Sequence, residues 1–144
     1  MMMTGIILIS HGPLAEGMLE SSRLFFGDSL GAVEAVTLKG DDPDEVEQLL
    51  LQAVRNVDEG DGIIILCDLL GGTPCNIASR IMNEKTRIIT GMNFPMLLDL
   101  LGKRLVYNDI SRLDLDGIIA RSKEGITDLQ QFLNSRQPAE NNDW

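Results

Sequence analysis

One imidazole, one carboxylate and one glycine-rich turn are the groups in this chain whose types and spacing could do chemistry together. His11 is the sole histidine among 144 residues. It follows the aliphatic run Ile6-Ile7-Leu8-Ile9-Ser10 and precedes Gly12-Pro13, so it is expected just past the carboxyl end of a buried strand. An imidazole titrates near neutrality and can serve there as a nucleophile or an acid–base group. Asp68 ends a second aliphatic run, Ile63-Ile64-Ile65-Leu66-Cys67. If the two meet, a carboxylate accepting a hydrogen bond from one ring N–H fixes the tautomer and leaves the other nitrogen's lone pair outward. It also stabilises the positive charge that develops on the ring during attack. Gly71-Gly72-Thr73-Pro74 then offers backbone N–H groups, a hydroxyl and the positive end of a helix dipole to an anion. Together these groups imply a phosphoryl group received on His11.

No Lys or Arg lies between His11 and Glu20 or between Asp68 and Ser79. Kinase sites surround a transferring phosphoryl group with cations or metal. Weak neutralisation suits a site that passes the group along, because a tightly held phosphohistidine is a poor donor. Taken singly, each feature has a plainer reading: His11 as a turn residue, Asp68 as a helix cap or surface charge, and Gly-Gly-Thr-Pro as an ordinary helix start. Their convergence in one fold is what favours chemistry. Cys67, at the end of a buried run, reads as packing, and Cys75 as a small thiol in a first helical turn.

The elements that must bring these groups together alternate in type. A strand at residues 6–10 is followed by a helix from Leu14 to Phe26, with Leu14, Met18, Leu19, Ser22 and Phe25 or Phe26 inward. A second strand, Val33 to Leu38, leads to a strong helix start at Asp42-Pro43-Asp44-Glu45. That helix runs to about Val57, with Val46, Leu49, Leu50, Ala53 and Val57 inward. The strand at 63–67 precedes a helix capped by Thr73 and reaching about Met82. A fourth strand spans Thr86 to Thr90, and a short helix spans Met96 to Leu101. Arg104 to Tyr107 is expected as a short edge strand or a loop, and a last helix from Leu115 to Leu133. This pattern predicts a doubly wound α/β fold with helices on both faces of a mainly parallel sheet of order 2-1-3-4. In that order His11 and Asp68 face each other across the topological switch point. Residues 1–134 form the predicted domain and 135–144 a flexible C-terminal tail.

The bulk numbers narrow the function classes. A chain of this length makes one domain, and 44% hydrophobic against 4% aromatic residues predicts an aliphatic core. A net charge of −10 argues against nucleic acid or an anionic membrane surface as partner. No apolar run has membrane length and no secretion signal opens the chain, so a cytoplasmic protein is expected. Two cysteines fit a reducing compartment better than a disulfide framework.

The segments Ile9-Ser10-His11-Gly12-Pro13-Leu14-Ala15-Glu16-Gly17-Met18 and Asp68-Leu69-Leu70-Gly71-Gly72-Thr73-Pro74-Cys75-Asn76 closely resemble the IIA component of the mannose-family sugar phosphotransferase system. Gly91-Met92-Asn93-Phe94-Pro95-Met96-Leu97 looks like the next landmark of that family, and the likeness covers roughly residues 4 to 133. The resemblance implies that His11 takes a phosphoryl group from phospho-HPr, through Nε2, and hands it to a IIB component, with the membrane components IIC and IID engaged indirectly. It places Asp68 as the orienting carboxylate and Thr73 as a hydroxyl contacting the phosphoryl group, beside Gly71 and Gly72. No cofactor and no metal are implied. It further implies a homodimer in which an antiparallel edge strand is exchanged, for which Leu105 to Tyr107 is the candidate, and a IIB partner on a separate polypeptide. Three other readings compete. They are the phosphotransfer subunit of a dihydroxyacetone kinase, a metal site using His11, Asp68 and a cysteine, and a regulatory domain switched by phosphorylation. Gly-Gly-Thr-Pro favours the sugar system over the kinase-linked branch.

Overall fold

Strand residues that are aliphatic at every position, not alternate ones, bury both faces of a sheet, and each face here carries its own core. A computed structural model describes residues 3–28, 30–40 and 42–136. Its strands are β1 (Gly5–His11), β2 (Val33–Leu38), β3 (Ile63–Cys67) and β4 (Thr86–Ile89). All neighbouring pairs are parallel and the order is β2-β1-β3-β4. Because side chains alternate across a strand, Ile6, Leu8, Ile64 and Leu66 enter one core while Ile7, Ile9, Ile63, Ile65 and Cys67 enter the other. The first core is closed by α1 (Leu14–Phe26), α4 (Phe94–Val106) and α5 (Leu115–Glu124), the second by α2 (Pro43–Val57) and α3 (Thr73–Ile81). A 3-10 turn at Ile110–Arg112 and the short α6 (Leu129–Asn134) complete the described chain. The chain leaves β1 for one side of the sheet and returns through β3 on the other, which opens the crevice expected between their carboxyl ends.

Several expectations are corrected. Arg104 to Val106 is not a strand: α4 continues through Val106, and Tyr107 is its C-cap. Leu97, Leu100, Leu101 and Arg104 share one buried helical face, and that spacing outweighs the short aliphatic run that suggested an edge. Gly102 lies inside α4, where a Cβ would lie 3.9 Å from Phe26 Cζ, so it sits at the contact between α1 and α4. No antiparallel strand occurs among the described residues. The single last helix is two, since α5 ends at Gly125 and Asp128 caps α6 by accepting from Gln131 N–H at 3.2 Å. Leu14, Phe25, Leu49, Ile126, Leu129 and Leu133 are exposed rather than inward. Ile126 falls between α5 and α6, and the helices that hold the others present a narrower buried stripe than their apolar content suggests. Of the expected tail, residues 137–144 lie outside the described residues.

Arg104 is the largest side chain in the core. Its guanidinium donates to the carbonyls of Thr4 and Ala32, each at 3.0 Å, and to that of Leu30. These carbonyls lie where the chain enters β1 and β2, at the end of the sheet opposite His11. Burial pushes the guanidinium's pKa down, opposed by the charge of Glu59, and backbone carbonyls take the place of a carboxylate partner.

Candidate active site

Parallel pairing sets β1 and β3 in register, with Ile9 level with Cys67, so the residues that follow them emerge together at the carboxyl end of the sheet. There one oxygen of Asp68 makes two bonds. Oδ2 accepts from the backbone N–H of His11 at 2.8 Å and lies 2.8 Å from His11 Nδ1. The other oxygen, Oδ1, accepts from Leu69 N–H at 2.9 Å. The carboxylate side chain is 9% exposed and the imidazole 41%, so the pair presents its ring outward and hides its charge beneath. Burial alone would raise the Asp68 pKa. The His11 backbone N–H, the His11 ring and the Leu69 N–H outweigh it and hold the carboxyl below its ordinary value. With an ionised acceptor at Nδ1, the neutral ring carries its proton on Nδ1 and its lone pair on Nε2, a tautomer inferred from the bonding partner. The sequence pairing of His11 with Asp68 therefore meets in space.

The turn between β1 and α1 holds the ring's backbone. Gly12 has φ +65°, a conformation glycine adopts without penalty, and its N–H donates to Leu38 C=O of β2 at 2.9 Å. Pro13 occupies the N-cap of α1 and has no side chain to cap with. The capping is done from further back: the buried Ser10 Oγ accepts from Ala15 N–H at 2.8 Å and donates to Gly12 C=O at 3.0 Å. Sequence reasoning missed this serine. The available signal was a proline standing where a capping side chain was needed.

Gly72, not Thr73, caps α3; Thr73 is the first helical residue and Pro74 the second. The helical ladder begins with Asn76 N–H to Gly72 C=O at 3.0 Å, so the amides of Thr73 and Cys75 stand at the open end of the helix. A Cβ on Gly72 would lie 3.3 Å from His11 Cε1, so the glycine backbone runs alongside the imidazole in a space a larger residue would crowd. Gly71, at φ +82°, makes the turn into it. The structure thus brings His11, Asp68 and Gly72 together, with Gly71 and Thr73 on either side in the same turn.

The cysteines stand apart. Cys67 is buried in the core beneath α2 and α3, and burial, then Cys75, then the charge of Asp68 push its thiol up to about 12. Cys75 packs against the same core. Among the described residues no group of three His, Cys, Asp or Glu side chains is arranged to hold a metal ion.

A doubly wound parallel domain with an outward histidine anchored by a largely shielded aspartate at its switch point is the class defined by this geometry. Residues 5–113 match the family model described as PTS system fructose IIA component. The fructose-specific EIIA component of Bacillus subtilis (strain 168) is 30% identical over 104 residues, covering 71% of each chain. The mannose-specific EIIAB component of Escherichia coli (strain K12) is 30% identical over 107 residues, 72% of this chain but only 32% of that protein. Among solved structures, the PTS IIA protein associated with the fucose utilization operon of Streptococcus pneumoniae aligns with a TM-score of 0.80 at 30% identity, covering 92% of this chain and 97% of that one. The mannose/sorbose-specific IIA subunit of Enterococcus faecalis aligns with a TM-score of 0.68 at 25% identity, covering 88% and 95%. The chain belongs to the mannose-type EIIA family and is a subunit of a sugar phosphotransferase system.

Proposed function

We propose that this protein is a phosphoryl carrier that accepts a phosphoryl group from phospho-HPr on His11 Nε2 and passes it to a IIB component for sugar uptake. The observation that carries this reading is the pair of hydrogen bonds that Asp68 Oδ2 accepts from the backbone and ring of His11. That arrangement holds the proton on Nδ1 and directs the lone pair of Nε2 to the half-exposed edge of the ring. Attack by Nε2 on phosphorus forms one N–P bond as the donor's bond to phosphorus breaks. Positive charge appears on the imidazole and is met by the Asp68 carboxylate. Non-bridging oxygens accept hydrogen bonds from the amides around Gly71 and Gly72 and from the Thr73 hydroxyl at the N-terminus of α3. Return of the group to a second acceptor reverses the step, with Asp68 unchanged throughout.

Exposed Leu14, Leu69 and Leu70, in the segments that follow His11 and Asp68, suit protein donors and acceptors, which need an apolar surface to dock, better than a small substrate. In this reading the protein works in the cytoplasm, as a homodimer, and meets the membrane components IIC and IID only through IIB. Among the described residues no helix is long and apolar enough to cross a membrane.

With one histidine in the chain the test is direct. Incubation with phosphoenolpyruvate, enzyme I and HPr is expected to add the mass of one phosphate in an acid-labile form, and His11→Ala to abolish it. Labelling that persists in the variant would refute the assignment.

A further inference from the structure

Beyond the His11–Asp68 pair, we propose that Ser10 is a positioning residue whose buried hydroxyl sets the orientation of the His11 imidazole. The inference rests on the carrier reading for its kinetic consequence, though not for its structural one. Along β1 the side chains alternate, so Ser10 points into the protein as His11 points out. Its Oγ is inaccessible to solvent and both of its hydrogen-bonding roles are filled: it accepts from Ala15 N–H and donates to Gly12 C=O. One oxygen therefore holds the carbonyl of the residue after His11 and the first-turn amide of α1. Between them lie only Pro13, which has no N–H, and Leu14. The turn has few other restraints. Gly12 sits at φ +65°, where glycine is not confined, and Gly12 N–H to Leu38 C=O is the tie on its other side.

The ring is held from two directions. Asp68 Oδ2 fixes the His11 amide and Nδ1, while Ser10 fixes the Gly12 carbonyl, one peptide further on. The ring can bond Asp68 only where its own Cα presents it, because the same oxygen must satisfy both the backbone and the side chain of one residue. Removing the hydroxyl leaves the Gly12 carbonyl and the Ala15 amide without their partner and lets the turn shift. The Nδ1 bond to Asp68 is then no longer enforced.

A helix cap alone would affect stability, whereas a positioning residue also affects the ring, and the test separates them. In ¹⁵N-labelled protein at a pH where the imidazole is neutral, ring nitrogen shifts report the tautomer. Wild type is expected almost wholly Nδ1–H. Ser10→Ala is expected to show a mixture, and Ser10→Thr, which keeps the hydroxyl, to return toward wild type. In single-turnover transfer from phospho-HPr, Ser10→Ala is expected to lower the maximal rate by roughly tenfold with little change in the concentration of donor giving half-maximal rate, since displacement of a reacting group costs rate more than docking. Val57→Ala, which thins the α2 core beside Gly5 at the end of the sheet opposite the turn, serves as a stability control and is expected to leave both readouts unchanged. An unchanged tautomer ratio in folded Ser10→Ala, or a rate loss no greater than in the control, would overturn the proposal. Should wild type itself fail to label on His11, the carrier reading fails, while the tautomer comparison still decides the role of Ser10.

Discussion

At the scale of single residues, the site is built on an asymmetry between a shielded carboxylate and an open ring. Asp68 spends Oδ2 on His11 twice and Oδ1 on Leu69, so neither oxygen is spare. Asp68→Asn can retain one carbonyl oxygen but must turn an NH2 group toward either His11 or Leu69, where a donor already points. The fold should persist by circular dichroism, while single-turnover transfer falls by about two to four decades, as for orienting aspartates elsewhere. A wild-type rate in this variant would remove Asp68 from the mechanism. The depressed Asp68 pKa also carries a sign for stability. A carboxyl whose folded pKa lies below its ordinary value of 3.8 stabilises the protein fully above that value, and the contribution disappears as pH falls through the lower, folded value. Urea unfolding of wild type and Asp68→Asn compared at neutral pH and below pH 3.8 should show the difference between them shrinking in acid. A difference that stays constant would contradict the linkage.

At the scale of elements, α4 and its arginine show how a charged side chain can belong to the core. Arg104 ties the C-terminal part of α4 to the carbonyls of Thr4, Leu30 and Ala32, which are the entry points of β1 and β2. The helix thereby braces the end of the sheet opposite the site and keeps the two strands that carry His11 and its neighbour Leu38 in register. Arg104→Met preserves much of the side chain's volume but takes the guanidinium from three carbonyls, of which that of Ala32 keeps Ile6 N–H at 2.9 Å. A loss of about 2–4 kcal/mol is expected, from groups left unsatisfied in the interior. The urea midpoint measures it; a shift within error of wild type would show that these carbonyls find other donors. Transfer activity of the folded variant should be little changed, since the site lies at the other end of the strands.

At the scale of the whole molecule, an open parallel sheet leaves edges that proteins cover or pair. β4 is one such edge. Beside it lies a groove of about 450 Å³ lined largely by apolar side chains, including Ile88, Ile89, Met96, Ile119 and Ile126. Leu129, Phe132 and Leu133 of α6 are exposed in the segment that follows. Among the described residues no further strand pairs with β4, and α6 carries exposed apolar side chains, which favours the homodimer of the proposed function. Sedimentation equilibrium at micromolar concentration should return about twice the 15.8 kDa of one chain. A monomer mass would reject it.

Strand identity, strand order and the pairing of His11 with Asp68 were legible from residue types alone. Aliphatic runs such as Ile6–Ile9 and Ile63–Leu66 have few alternatives to a sheet buried on both faces, and the order of such a sheet brings the ends of its first and third strands together. The capping of α2 by Asp42 was equally local, since Asp-Pro-Asp-Glu specifies its own turn. Where the reading failed, the deciding contacts lay far away in the sequence. Arg104-Leu105-Val106-Tyr107 is locally as good a strand as a helix, and what settles it is the buried acceptors at Thr4, Leu30 and Ala32, at least 72 residues upstream. The cap on α3 falls on Gly72 rather than Thr73, in a turn placed against the His11 ring, where a Cβ would lie 3.3 Å from Cε1. Ser10 became visible only when the turn after His11 closed, since an inward serine in an aliphatic strand has no local pattern to announce its partners. Short-range patterns thus determined which elements form and where the reacting groups stand. The tertiary structure decided how each is held, because a hydrogen bond between distant residues depends on positions that no short window of sequence contains.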